Sequence, residues 1–276
     1  MKNNRTSSTF LVFLLTWCLV PCGIRAQDSL CNCPQQSKFG KGTFYITAGY
    51  NLDWFSKSDI HFRDHSTDDY DFTLYKLRAE DRPGMEDLLE EDITIPQYSF
   101  RIGYFFNDKH DLGIEINYDH VKYVVMEDQP VHLTGDIRGT YYDVDTTFNE
   151  GLVELEHTNG ANYAMINLVK RMNLLKTKNR KHWVGAVFKG GGGFVYPRSD
   201  TRILGTRRND RYHVAGYVFG VEAGVRYDFF KYFFAETTFK GAYANYLNVL
   251  LAGDGRAHHH FFSIEWIYTI GVQFPL

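Results

Sequence analysis

A histidine beside a hydroxyl-bearing side chain can activate that hydroxyl, and the stretch Glu156-His157-Thr158-Asn159-Gly160-Ala161-Asn162 holds the best candidate for such chemistry in this 276-residue chain. His157 would be the general base. Neighbouring residues on a strand point to opposite faces, so His157 could reach the Thr158 hydroxyl only through a local bulge, for which Gly160 is suited. His258-His259-His260 invites a metal reading, yet only His258 and His260 share a strand face and no third ligand lies at a recognisable spacing. The expectation is a solvated loop base, with no metal and no other cofactor. Asp64, Asp68, Asp69 and Asp71 lack the pattern of a calcium loop and read as a hydrated acidic segment. Gly190 to Gly193 is followed by neither Lys-Ser nor Lys-Thr, so room for close strands explains it better than phosphate binding. Arg198, Arg202, Arg207 and Arg208, with Arg211 beside them, are the anion-contact candidates, because guanidinium groups grip phosphates of lipopolysaccharide or another polyanion.

Strands must hold these residues. In Ser263 to Phe274, Ile264, Trp266, Tyr268, Ile270, Val272 and Phe274 share one face, while Glu265, Thr269, Gly271 and Gln273 share the other with Ile267 as the apolar exception. An aromatic-ended strand at this position resembles the closing strand of Gram-negative outer-membrane β-barrels, here followed by Pro275 and Leu276. That resemblance implies recognition of the strand by the barrel-assembly machinery. At the other end, Lys2 and Arg5, the apolar run Phe10 to Val20, then Pro21, Gly23 and a cut after Ala26 fit an export signal over residues 1–26. The run is too short to span a membrane as a helix. A lipoprotein reading would place Cys18 or Cys22 at the cut, where Trp17 and Pro21 are unsuitable neighbours. Removal of the signal leaves Cys31 and Cys33 in a tail over residues 27–41, too close together for an easy bridge. It also leaves 27 basic and 33 acidic residues, a formal charge of −6 that excludes a polybasic nucleic-acid binder.

The period-two pattern predicts eight strands. They are Gly42 to Trp54, Tyr98 to Phe106, Leu112 to about Val125, about Val153 to Asn173, Val184 to Tyr196, His213 to Tyr227, Phe233 to about Leu247, and the closing strand. The links alternate long and short, with long outer loops at about 55–97 and 126–152, as outer-membrane barrels require. Both ends of the chain then lie in the periplasm. Asp71 to Leu77 and Ile60-His61-Phe62 in the first loop, and Val131 to Ile137 in the second, have strand character of their own. They are expected as paired extensions outside the membrane, with a ten-stranded barrel as the alternative count.

Side-chain size decides which face turns inward. The interior of an eight-stranded barrel is just wide enough to be filled by side chains. The aromatic series would overfill it, whereas the opposite series is rich in Gly, Ser, Thr and Asn. A secreted, lipocalin-like barrel would place the two faces the other way round. The inward series brings Arg101, Lys189, Arg226 and Lys240 against Glu115, Glu222, Glu236 and Glu265, a balanced set expected to form an interior charge network. The expected fold is therefore an all-β, eight-stranded, antiparallel, up-and-down transmembrane barrel over residues 42–276.

This layout resembles the transmembrane domain of OmpA, the OmpX-type barrels and a family of uncharacterised outer-membrane β-barrel proteins. The resemblance implies an outer-membrane monomer in contact with lipid or lipopolysaccharide, with a plugged polar interior and a structural or surface-interaction role. The segment around His157 is also similar to the His-x-Ser-Asn segment of the lipid A deacylases. Asn159 stands here in place of the nucleophilic serine and Thr158 is adjacent to the histidine. A lipid A-modifying hydrolase is the alternative that this second resemblance implies, and a narrow channel is a third.

Overall fold

The computed structural model describes residues 42–82, 97–106, 110–149, 151–157, 160–176, 182–209 and 211–276. The expected export signal and tail, with Cys31 and Cys33, lie outside the described residues, as do the turn at 107–109, Thr158 and Asn159. Along the chain the strands are β1 (Thr43–Phe55), β2 (Ser58–Asp64), β3 (Tyr70–Leu77), β4 (Ala79–Glu80), β5 (Ser99–Phe105), β6 (Leu112–Asp119), β7 (Tyr123–Val125), β8 (Gln129–Ile137) and β9 (Thr140–Phe148). They continue as β10 (Val153–His157), β11 (Tyr163–Lys176), β12 (His182–Val195), β13 (Asp200–Ile203), β14 (Thr206–Asn209), β15 (Gly216–Phe229), β16 (Phe233–Leu250) and β17 (Arg256–Pro275).

Eight of these form a ring in the order β1-β5-β6-β11-β12-β15-β16-β17, every neighbour antiparallel, and β1 pairs with both β5 and β17. The ring is an eight-stranded up-and-down barrel. Ten strands are excluded because β2, β3, β8 and β9 lie outside it, extending the sheet from β17. Alternation sorts the side chains as their sizes require. Ile116 is 60% exposed, Leu168 69%, Val221 70% and Ile270 70%, whereas Arg101, Glu115, Asn117 and Lys240 are buried. Phe44 and Trp54 bound this apolar belt on β1. The ten steps between them, at about 3.3 Å each and tilted by about 40°, give a height of about 25 Å. Aromatic rings crowd both margins, with Tyr98 stacked on Tyr118 and Tyr196 on Tyr212 at one, and Phe229 on Phe233 at the other.

β16 and β17 run for 18 and 20 residues, about twice what a membrane crossing requires. Their surplus builds a cap at the long-loop end. Beyond Ser263, where β1 has ended, β17 pairs instead with β2, and the sheet continues through β3, β8 and β9. A second sheet, β14-β13-β10-β7-β4, supplies the other apolar face. Ile60, Phe62, Phe72, Leu74 and Leu133 from the first sheet join Tyr123, Val125, Val153, Leu155 and Ile203 from the second in one core. Arg138 and Gly139, at φ 53° and 77°, make the two-residue turn between β8 and β9, whose twist suits a hairpin.

Two expected strands are divided. Leu112 to Val125 stops at Asp119, and Tyr123–Val125 turns away into the cap as β7. Val153 to Asn173 becomes β10 in the cap and β11 in the barrel; Gly160 at φ 109° and Asn162 at φ 21° end one direction and start another instead of forming a bulge. In β12, a Cβ at Gly191 or Gly193 would lie 1.9 Å from the carbonyl oxygen of Ile166 or Ala164, so these glycines serve strand contact.

Leu168 marks the middle of the belt on β11, so Leu168→Arg should cost about 2–4 kcal/mol in denaturant unfolding from lipid vesicles. An unchanged midpoint would mean that this face meets water.

Candidate functional site

The balanced charges of the sequence meet inside the ring. Arg101 lies 3.4 Å from Glu115, 3.4 Å from Asp119 and 3.3 Å from Glu222. Lys189 is 2.6 Å from Glu236, 3.0 Å from Glu115 and 3.3 Å from Glu222, and Lys240 is 2.7 Å from Asp119 and 3.1 Å from Glu265. Neutral groups add to two of these carboxylates: the Tyr45 hydroxyl donates to Glu115 at 2.8 Å and Thr238 to Glu222 at 2.6 Å. Arg226 stands lower, donating to Gln273 at 2.9 Å and lying 3.4 Å over the Phe234 ring. Tyr45, Phe105 and Phe234 pack around it as an aromatic floor. Asp119 was absent from the expected network although it follows Glu115 and Asn117 at period two; that spacing was the available signal.

Above the charges, the cap buries four polar side chains in a row. His157, at the end of β10, has its Nδ1 2.7 Å from the Ser199 hydroxyl and its Nε2 3.3 Å from Nε2 of His259. Nδ1 of His259 is 3.4 Å from the Ser58 hydroxyl, which donates to the His260 carbonyl at 2.9 Å. Since Ser58 donates onward, one set of tautomers satisfies every contact. Ser199 donates to His157, His157 to His259, and His259 to Ser58, with both imidazoles neutral. Tyr246 stacks on both rings, at 5.1 Å and 4.9 Å between centroids. Burial pushes His157 down to about 3, with the charge of His213 adding to the shift.

Ser199 against His157 is the contact of a nucleophile with its base. The arrangement departs from a working triad in two respects. Both side chains are buried, at 1% and 0% exposure, and the third member is a neutral imidazole, which cannot stabilise an imidazolium as a carboxylate does. Ser199 lies 42 residues from His157 and is brought to it by the pairing of β10 with β13, so no local motif could reveal it.

The loop arginines are engaged within the cap. Arg207 holds Asp200 through two hydrogen bonds of 2.9 and 2.6 Å, Arg202 is 3.6 Å from Glu154, and Arg208 donates to the carbonyls of Leu251 and Gly253 at 2.7 and 2.9 Å. The backbone amide of Arg198 donates to the Gly160 carbonyl at 3.0 Å. Any phosphate would have to compete with these partners. Among the described residues no three side chains of the metal-ligating types converge.

Removing Lys189 leaves Glu115 and Glu222 to Arg101 alone among the nearby cations and takes from Glu236 its 2.6 Å partner, with Arg226 3.9 Å away. Lys189→Met should therefore lower unfolding stability by about 3–5 kcal/mol, and adding Glu236→Gln should recover part of the loss in a double-mutant cycle. The His157 shift gives a pH dependence of defined sign. Its folded value lies below the ordinary 6.5, so its contribution is complete above about pH 6.5 and falls away as pH drops towards 3. Asp81, raised by burial to about 6, works in the opposite sense, losing its contribution as pH rises through that value. Protection factors of the β10 amides, which remove the slowing of intrinsic exchange in acid, should fall below pH 6.5, and His157→Leu should flatten that slope while leaving the Asp81 response in place.

Closure of the ring, strand order and apolar belt give the chain the layout of a small Gram-negative outer-membrane β-barrel. Solved structures similar to it include Neisserial surface protein A, at 12% identity over 84% of this chain and 97% of that one, with a TM-score of 0.33. Ail, the attachment invasion locus protein of Yersinia pestis, is 10% identical over 85% and 99% of the two chains, with a TM-score of 0.32. The outer membrane protein OprG from Pseudomonas aeruginosa is 10% identical over 87% and 99%, with a TM-score of 0.40. No protein-family model matches the chain, and no curated protein matches its sequence.

Proposed function

We propose that this chain is an exported outer-membrane barrel with a plugged interior, whose cap is a surface docking platform. The paired charges and aromatic floor support a plug over a channel, because ions crossing the ring would have to displace salt bridges. The closing strand would engage the assembly machinery, and the belt would meet outer-membrane lipid as a monomer.

One observation carries the docking role. β9 is the last strand of its sheet, with no strand on its far side among the described residues, and it exposes Tyr141 by 64%, Tyr142 by 39% and Val144 by 43%. A free edge offers its backbone groups to an incoming strand. Asp143 and Asp145 share one face, both beside the single His132 at 3.2 and 2.9 Å, while Tyr142 and Val144 share the other. The complementary partner is an extended polypeptide alternating basic and apolar residues. The hydrolase is retained as a second reading on the Ser199–His157 contact alone, and it requires the cap to open.

A fluorescent alternating Lys-Val hexapeptide is the probe. It should bind the folded protein in detergent, weaken with salt, and lose binding to the exposed double variant Asp143→Lys/Asp145→Lys. Equal binding to both proteins, or none to either, removes the docking reading. Labelling of Ser199 by a fluorophosphonate would move the assignment to the hydrolase.

A further inference from the structure

The geometry points to a divalent transition-metal site on the outer surface of the cap, formed by His61 and His258 and selective for zinc-like cations over calcium or magnesium. The two residues are direct cross-strand partners, His61 on β2 and His258 on β17. Their Nδ1 atoms lie 3.3 Å apart, with ring centroids 4.7 Å apart and planes inclined at 59°. Two nitrogens bound to one tetrahedral zinc at about 2.0–2.1 Å are separated by about 3.3 Å, so the spacing of this pair is already that of two ligands on one cation.

The proton positions favour the same conclusion. Asp71 accepts from Nε2 of His61 at 2.7 Å, and a carboxylate only accepts, so Nε2 keeps the proton and Nδ1 of His61 presents a bare lone pair towards His258. A carboxylate behind a ligating histidine fixes the ring and raises its basicity, as in many zinc sites. The other Asp71 oxygen is 3.7 Å from Arg63 and 3.8 Å from His65, which hold the carboxylate in place. Without metal, the pair can share a single N–H···N hydrogen bond from Nδ1 of His258 to the bare Nδ1 of His61, as His157 and His259 do at the same 3.3 Å, and a cation takes the place of that one proton. Both histidines face outward, so water completes the coordination of a two-ligand site. Imidazole ligands suit zinc, copper and nickel, whereas calcium and magnesium require oxygen.

Position gives the site a mechanical consequence. β2 reaches β17 through four residue pairs, Arg256↔Arg63 to His259↔Ile60, and this pairing joins the cap sheet to the barrel. A cation held by His61 and His258 fastens that junction and stabilises the cap in proportion to its occupancy. The site is independent of the β9 docking role and of its test.

Isothermal titration of zinc into the folded, untagged protein in detergent tests the proposal. One zinc should bind per chain. His61→Gln and His258→Gln should each abolish the heat, Asp71→Asn should weaken binding by about tenfold, and His132→Gln and calcium should serve as controls without effect and without binding. Absence of zinc binding by the unaltered protein, or undiminished binding by both glutamine variants, overturns the site. Nitrogen-15 imidazole spectra of the unaltered protein keep the test valid should a variant misfold. Zinc should shift the Nδ1 signals of His61 and His258, and a shift confined to other histidines overturns the proposal as well.

Discussion

An unpaired peptide group in hydrocarbon costs several kcal/mol, so a sheet that meets lipid cannot have an edge. The pairing of β1 with β17, continuous from Thr43↔Pro275 to Phe55↔Ser263, removes that edge. The other features follow from this closure. Closing eight strands leaves an interior only about wide enough for side chains, lined here by small residues and a few long ones. The long ones are charged, and they reach one another because the ring sets them on opposing walls.

Closure also explains where the cap begins. The constraint ends with the hydrocarbon, and so does β1. Beyond Ser263, β17 has a free edge in a region where water or protein can satisfy it, and β2 takes that edge. From there the sheet grows outward as any soluble sheet does, acquires an apolar face, and buries it against a second sheet. The last strand of that sheet among the described residues, β9, can present an edge because it lies beyond the apolar belt. Within the belt the same open edge would not be tolerated.

Two kinds of polar interior result. In the barrel, Arg101, Lys189 and Lys240 are desolvated, and each is held by two or three carboxylates. Such a network contributes less through net attraction than through the cost of losing any one member. In the cap, His157 and His259 are buried without any carboxylate partner and stay neutral by passing one hydrogen bond along a row from Ser199 to Ser58. A serine that would be a nucleophile in an open cleft is thereby a structural donor.

Local alternation was legible from residue types alone. It identified the eight barrel strands, the outward aromatic series, the inward charges from Arg101 to Glu265, and the strand character of Ile60 to Phe62 and Asp71 to Leu77, because a period of two depends only on the pleat of a single chain. The division of Val153 to Asn173 between two sheets was not legible, since Gly160 marks a break without saying where the chain goes next. Nor were the partners of the histidines. His157 met Ser199, 42 residues away, and His258 found its neighbour in His61, 197 residues away, instead of in the adjacent triplet. Period two assigns a face; only register assigns a partner, and register was decided by closure of the ring and by the strand that took the edge of β17 above it.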